Sequence, residues 1–203
     1  MEPIYGYEIG DSFVGTGTAA INGTTAIVLT GGAALTEFSP GDIIILNGES
    51  RVIDTVTDDD NMDSVTAFDT TASGLAVTGV TMKNLESDLG LTPQEIPAAP
   101  NTNDSFRHYT QPVDLASGGV RGNGWATTEW KFGFVTRALR EALRVYCPEQ
   151  QASADVWIRT RVPENGDEYR YYSATMIWPV PEKRDTGVRL EFVIEFRALV
   201  EIT

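Results

Sequence analysis

The clearest pattern in the chain is an alternation of apolar and mostly charged residues near its C-terminus. From Val188 to Ile202 every even position is apolar, while most odd positions carry Arg or Glu. A period of two places alternate side chains on opposite faces, so the pattern predicts one long strand that would span roughly 50 Å. Long strands suit barrels and rings, in which strands run from subunit to subunit. We therefore predict a subunit interface on the charged face, formed by Arg189, Glu191, Glu195, Arg197 and Glu201.

The residues before this strand predict an antiparallel sheet with one helix. Asp155–Val162 and Glu168–Trp178 are strand-like, and the Asn165-Gly166 dipeptide between them favours a hairpin. Apolar residues at helical spacing predict a helix over Thr136–Tyr146, and another strand is expected at Trp125–Trp130. Residues 113–203 are thus predicted to form an antiparallel sheet with one helix packed on a face.

The first part of the chain predicts a separate small β-domain over residues 1–83. The Asn47-Gly48 turn separates Ile43–Leu46 from Arg51–Val56, so these segments should pair. Further strands are expected at Ser64–Phe68 and Leu75–Met82. Short strands at regular spacing indicate a small barrel or sandwich. The fold class is therefore mainly β in both domains.

Residues 84–112 connect the two predicted domains and are rich in proline. Pro93, Pro97, Pro100 and Pro112 remove backbone donors and fix φ, which predicts an extended segment. A plain tether and an arm that lies on a neighbouring subunit are both consistent with this composition.

Charge is divided unevenly along the chain. Residues 1–104 contain sixteen acidic and two basic side chains, and the remainder contains thirteen of each. The low isoelectric point argues against tight nucleic-acid binding, although it allows DNA to pass without sticking. No run of about 18 apolar residues predicts a membrane span, and the first residues do not resemble a secretory signal.

An acidic run occurs where a turn is expected, between residues 58 and 63. Asp58, Asp60 and Asp63 are the candidate ligands for a divalent cation, because hard cations bind several oxygen atoms. The run does not fit the EF-hand template, which requires glycine at its sixth position. A solvated acidic turn is the favoured interpretation, and no metal or other cofactor is predicted.

Candidate catalytic residues are few. His108 is the single histidine, and no Gly-x-Ser-x-Gly segment accompanies it. Cys147 ends the predicted helix and is expected to be a small core residue rather than a nucleophile. We therefore predict that the protein is not an enzyme.

Aromatic residues concentrate in the predicted strands of the second half. Trp157 and Trp178 are the candidates for an aromatic surface that could bind a sugar. Packing within the sheet is the favoured interpretation, because aromatic residues prefer strands and pair across them.

Two parts of the chain resemble bacteriophage virion proteins. The order Pro40-Gly41-Asp42, strand, Asn47-Gly48-Glu49-Ser50, strand is similar to small β-domains of virion proteins. The second half resembles the tail-tube protein of long-tailed bacteriophages in its element order, through Gly122–Trp125, the helix, Val156–Arg161, Met176–Pro179 and the closing strand.

The resemblance implies a structural protein of the virion tail, made in the host cytoplasm. In that family an antiparallel β-sandwich with one flanking α-helix forms hexameric rings, which stack into a tube for genome passage, so the resemblance implies this fold for residues 113–203. The expected partners are other copies of the chain, other tail proteins and transiently passing DNA, with no membrane. The alternatives are another ring component of the tail (a neck, collar, completion, baseplate or tail-tip protein) and a carbohydrate-binding module. We expect the acidic first domain to project outward from such a tube.

Overall fold

The computed structural model describes residues 6–90, 106–117, 119–148, 151–162, 168–179, 184–185 and 188–203, without the side chains of residues 134, 184, 185 and 188–191. The chain is mainly β and divides into two compact units. The barrel unit comprises Gly10–Met82 with Ile202–Thr203, and the sheet unit comprises Met1–Ile9 with Lys83–Glu201. The described residues 6–9 therefore belong to the sheet unit rather than to the barrel unit.

The barrel unit is a closed six-stranded barrel. Its strands follow the order β2-β5-β4-β3-β6-β1, and pairing between β1 and β2 closes the ring. Closure leaves no exposed sheet edge, which is one way that a small β-domain avoids aggregation. The elements that begin in this part of the chain are β1 (Glu8–Asn22), β2 (Ala26–Thr30), α1 (Ala34–Glu37), β3 (Ile43–Leu46), β4 (Glu49–Val56), β5 (Asn61–Ser64) and β6 (Thr71–Asn84).

The hairpin between β3 and β4 confirms the prediction made from its turn dipeptide. Leu46 pairs with Glu49, so Asn47 and Gly48 form a two-residue loop. Their φ angles are 52° and 82°, the left-handed values that a tight hairpin turn requires. Next to this hairpin the buried Asp42 accepts hydrogen bonds from the backbone amides of Ser39 and Met82, both at 2.8 Å.

The strand predicted at Ser64–Phe68 is wrong. The strand in this region is β5, which spans Asn61–Ser64 and includes part of the acidic run. Met62 and Ser64 face the interior, while Asn61 is exposed and Asp63 is half-buried. Met62 is the one apolar residue of this four-residue strand. The alternation of apolar and polar residues was therefore too weak to predict the strand.

The sheet unit contains one larger antiparallel sheet and a helix that packs on it. The strand order is β11-β12-β14-β10-β7, while β8 and β9 form a two-stranded sheet of their own. The elements are β7 (Phe106–Arg107), β8 (Gln111–Asp114), β9 (Val120–Asn123), β10 (Ala126–Val135), α2 (Arg137–Arg144), β11 (Ser153–Val162), β12 (Glu168–Ile177), β13 (Arg184–Asp185) and β14 (Val188–Ile202).

Helix α2 falls within the predicted helical segment. The Thr136 hydroxyl accepts a hydrogen bond from the Leu139 amide at 3.3 Å and so caps the helix N-terminus. Leu139 and Leu143 are buried in the same core as Trp130 and Phe192 of the sheet. The apolar stripe therefore covers one face of the sheet, as the helical periodicity predicted.

The unbroken alternation predicted for Val188–Ile202 is wrong beyond Phe196. Between two of its pairings with β14, β10 advances two residues, from Ala126 to Thr128, while β14 advances three, from Leu199 back to Phe196. The extra residue is a β-bulge that contains Ala198, with φ 53°. Ala198 and Val200 are consequently exposed, and Leu199 is buried. The bulge thus buries Leu199 in place of Ala198, and Ile202 is buried again near the end of the strand.

Part of the proline-rich connector lies outside the described residues. Residues 91–105, with Pro93, Pro97 and Pro100, fall there. The rest of the connector includes β7 and β8, so its C-terminal end is strand rather than a plain tether.

In the described part of the chain, neither helix has the length and apolar content that crossing a bilayer requires.

Candidate assembly surface

The β8–β9 hairpin is the most exposed element of the sheet unit. Every residue of both strands is exposed, and the two strands pair only with each other among the described residues. Gln111 pairs with Asn123 at one end, and Asp114 pairs with Val120 at the other. A hydrogen bond of 2.7 Å from the Leu115 amide to the Gly119 carbonyl continues the ladder beyond that end.

Both faces of this hairpin present apolar side chains to solvent. Directly opposed residues share a face, so Val113 lies on the face of Arg121, and Val120 lies on the other face with Asp114. Val113 is 42% exposed and Val120 is 62% exposed. Leu115, two residues after Val113, is 43% exposed. The hairpin thus offers apolar surface on two sides at once.

The base of the hairpin is held by close contacts. The Thr110 amide donates a hydrogen bond of 3.1 Å to the Asn123 carbonyl. The ring of Tyr109 lies so close to Gly122 that a β-carbon there would be 2.4 Å from it. Gly124 has a φ of 95°, which few residues other than glycine adopt. These contacts fix the direction in which the hairpin leaves the sheet unit.

The charged face of β14 is largely paired within the chain. Arg197 donates two hydrogen bonds of 2.8 Å to the Glu195 carboxylate, and these bonds raise the pKa of Arg197. Glu201 lies 3.3 Å from Arg170 of β12. Arg189 and Glu191 lie on β14, and their side chains fall outside the described residues. The predicted interface residues are therefore on one strand, but three of them already have partners.

A polar cleft of about 380 Å³ lies beside the hairpin base. Its floor comes from β7, β10 and β14, and Thr110 and Gln111 form a wall. Trp125 lines it with 56% of its surface exposed. The charged residues in its lining are Arg107, Glu129, Glu195 and Arg197.

The two tryptophans predicted as a candidate aromatic surface differ sharply in burial. Trp178 is only 2% exposed, because it packs against Phe192 and beneath Arg144, whose guanidinium lies 3.9 Å from the ring centroid. Trp178 is therefore a core residue and not a surface platform. Trp157 is half-buried and lines a second cleft of about 330 Å³ with Ala198.

The acidic run forms a hydrogen-bonded turn between β4 and β5. The Asp58 carboxylate accepts hydrogen bonds from the Asn61 side chain at 2.8 Å and the Asp60 amide at 2.9 Å, which lower its pKa. Asp60 is exposed, and Asp63 lies on β5. Within the described ranges, no three His, Cys, Asp or Glu side chains are grouped as metal ligands. These two hydrogen bonds account for the position of the Asp58 carboxylate.

The two residues considered for nucleophilic chemistry, Cys147 and His108, differ in burial. Cys147 is fully buried in the core of the sheet unit, as predicted, and burial raises the pKa of its thiol. His108 is exposed, and its ring meets Phe106 edge-on at a centroid distance of 5.0 Å.

The exposed hairpin was not predicted from the sequence. Its strands contain Pro112 and Gly122, which are poor strand formers, and its alternation is short. The Gly118-Gly119 dipeptide, followed a few residues later by Gly122-Asn123-Gly124, was the available turn signal.

Comparison of the chain with family models, curated proteins and solved structures finds no match.

Proposed function

We propose that the protein is a structural protein that assembles into rings through its β8–β9 hairpin. The single observation that supports this is a free-standing hairpin with apolar side chains on both faces. A two-stranded hairpin is at best marginally stable in water on its own. Apolar surface on both of its sides favours insertion against a neighbouring subunit, where Val113, Leu115 and Val120 would be buried.

The particular assembly that we propose is the tail tube of a long-tailed bacteriophage. The support is the resemblance in element order, together with a mainly β chain that has an antiparallel sheet and a helix on one face. In this proposal the sheet unit adopts the sandwich of that family and forms hexameric rings that stack around a channel for DNA. The protein belongs to the virion tail and contacts other tail proteins.

The barrel unit is assigned to the outside of the tube in this proposal. Residues 10–82 contain ten acidic side chains and a single basic one, Arg51. A strongly acidic surface remains well solvated and resists unspecific association. A neck, collar, completion or tail-tip ring is the runner-up, since such a ring would use the same hairpin. A density map of an assembled particle with residues 13–83 inside the channel would contradict the outward assignment.

The experiment is to compare the assembly of the wild-type protein with that of a double variant, Val113→Asp and Val120→Asp. Sedimentation velocity reports the mass, and negative-stain microscopy reports rings or tubes. We expect oligomers for the wild type and the 22.1 kDa monomer for the variant, because two buried carboxylates in an apolar contact cost several kcal/mol.

The matched control is Val65→Asp, which makes the same change at a comparably exposed valine of the barrel unit. This control should assemble like the wild type. Since all three valines are exposed, circular dichroism should show each variant folded. A wild-type protein that remains monomeric at high concentration would refute self-assembly, and unchanged assembly of the double variant would refute the role of the hairpin.

A further inference from the structure

The cleft beside the hairpin base has an unusual pair of carboxylates in its floor. Glu129 of β10 and Glu195 of β14 are direct partners across the two strands. Like charges placed directly opposite each other destabilise a sheet. Each carboxylate is held by a cation two residues along its own strand, Lys131 at 3.2 Å from Glu129 and Arg197 at 2.8 Å from Glu195. The two acceptors are thus fixed side by side on the open face of the sheet.

The rest of the lining complements these acceptors. Arg107 and Arg197 donate hydrogen bonds only, whereas Thr110, Gln111 and Thr127 can both donate and accept. Two arginines balance the two glutamates, so the lining carries no net charge. A ligand with many neutral donors and acceptors fits such a surface better than an ion of either sign, because an ion would face two like charges.

Trp125 adds a flat apolar surface to this polar lining. It is 56% exposed, whereas Trp130 and Trp178 are almost completely buried. An exposed indole beside a cleft offers its ring face for stacking. Leaving this apolar face in water costs free energy, which a stacked ligand would recover. The volume of about 380 Å³ lies within the range that small-molecule sites occupy.

From these features we propose that the cleft is a binding site for a neutral saccharide. A pyranose ring has an apolar face of C–H groups, which would stack on Trp125. Its hydroxyl groups both donate and accept, so they can pair with Glu129 and Glu195 as well as with Arg107 and Gln111. This site differs from the predicted aromatic pair, since Trp178 is buried and Trp157 lines a separate cleft. It does not include Val113 or Val120, on which the proposed assembly depends.

The test is a titration of the full chain with maltohexaose, cellohexaose and chitohexaose, each to about 10 mM, which exceeds millimolar dissociation constants. Isothermal calorimetry reports the affinity, and ligand-observed NMR reports the contact. We expect at least one of the three to bind, with about tenfold weaker binding in Trp125→Ala. Glu129→Gln should also weaken binding, because the amide replaces one carboxylate oxygen by a donor.

Two variants serve as controls. Val145→Ala changes an exposed residue after helix α2, and Trp157→Phe changes the aromatic residue of the second cleft; both should bind as the wild type does. The assembly variant Val113→Asp/Val120→Asp should also retain binding, so failure of assembly and failure of binding are separate results. Absence of binding by all three saccharides, or affinity unchanged in Trp125→Ala, would overturn the proposal. Calcium binding that requires Glu129, without saccharide binding, would replace it with a cation site.

Discussion

For Glu8, the effect of burial on the pKa of the carboxylate exceeds the effect of its ion pair. Its side chain is 14% exposed and lies 2.9 Å from the Arg159 guanidinium. Loss of hydration raises the pKa of Glu8 above its ordinary 4.5, while Arg159 and the Asn84 side chain lower it by less, and Asp88 raises it further. The ion pair thus compensates only part of the cost of burying the charge.

The raised pKa predicts how stability depends on pH. The folded state binds the Glu8 proton more tightly than the unfolded state, so this contribution to stability is fully present below pH 4.5 and is lost as the pH rises through the folded pKa. Relative to Glu8→Gln, which cannot titrate, the wild type should therefore lose stability as the pH rises from 4.5 through the folded pKa of Glu8. Urea unfolding at several pH values measures this difference.

Glu141→Gln is the control for this measurement, since Glu141 is an exposed carboxylate of the same unit. Its stability relative to the wild type should not change in the same direction over that range. A wild type that gains stability over Glu8→Gln as the pH rises would show that the ion pair with Arg159 outweighs the loss of hydration.

Strand β14 shows why an element can be recognised while its faces are assigned wrongly. Its alternation identifies a strand of 15 residues. The bulge at Ala198 is invisible in the sequence, because Ala198, Leu199 and Val200 are all apolar and either face could take them. Which one is buried depends on pairing with β10, a tertiary constraint.

Replacing Ala198 in this strand by glycine is expected to stabilise the protein. Its φ of 53° places a β-carbon in the left-handed region, which costs about 1 kcal/mol and costs glycine almost nothing. Ala198→Gly should therefore raise the free energy of unfolding by a few tenths to about 1 kcal/mol, after the greater freedom of glycine in the unfolded chain is deducted. Urea unfolding provides the measurement.

The matched comparison is Ala126→Gly, on β10 opposite Leu199. There the same change should destabilise by about 0.5–1 kcal/mol, because glycine gains nothing in an ordinary strand conformation. Equal destabilisation by both substitutions would mean that the bulge does not strain Ala198.

Local signals predicted the elements that local chemistry determines. The Asn47-Gly48 turn specified its hairpin, and the stripe that includes Leu139 and Leu143 specified helix α2. The hairpin at β8–β9 and the burial of Trp178 could not be predicted in this way. Trp157 and Trp178 look alike in sequence, and tertiary packing separates them, because Phe192 and two arginines of α2 cover Trp178.

At the scale of the whole molecule, charge and apolar surface act in opposite directions on assembly. The chain carries a formal net charge of −14, so identical copies repel one another. The apolar hairpin residues would favour association, and Glu195, Arg197 and Glu201 already have partners within the chain. The sign of the salt dependence therefore distinguishes an apolar interface at the hairpin from the charged interface predicted on β14.

We expect oligomers to become more abundant as sodium chloride is raised from about 0.05 M to about 0.5 M, because screening shortens the range of the repulsion to a few ångströms. Salt should not weaken an apolar contact between hairpins, whereas ion pairs between subunits would be screened. Sedimentation velocity at fixed protein concentration measures the oligomer fraction. The Val113→Asp/Val120→Asp variant should stay monomeric at every salt concentration, because screening does not restore its apolar contact. If salt instead dissociates the wild-type oligomers, the charged face of β14 is the dominant interface and the hairpin is secondary.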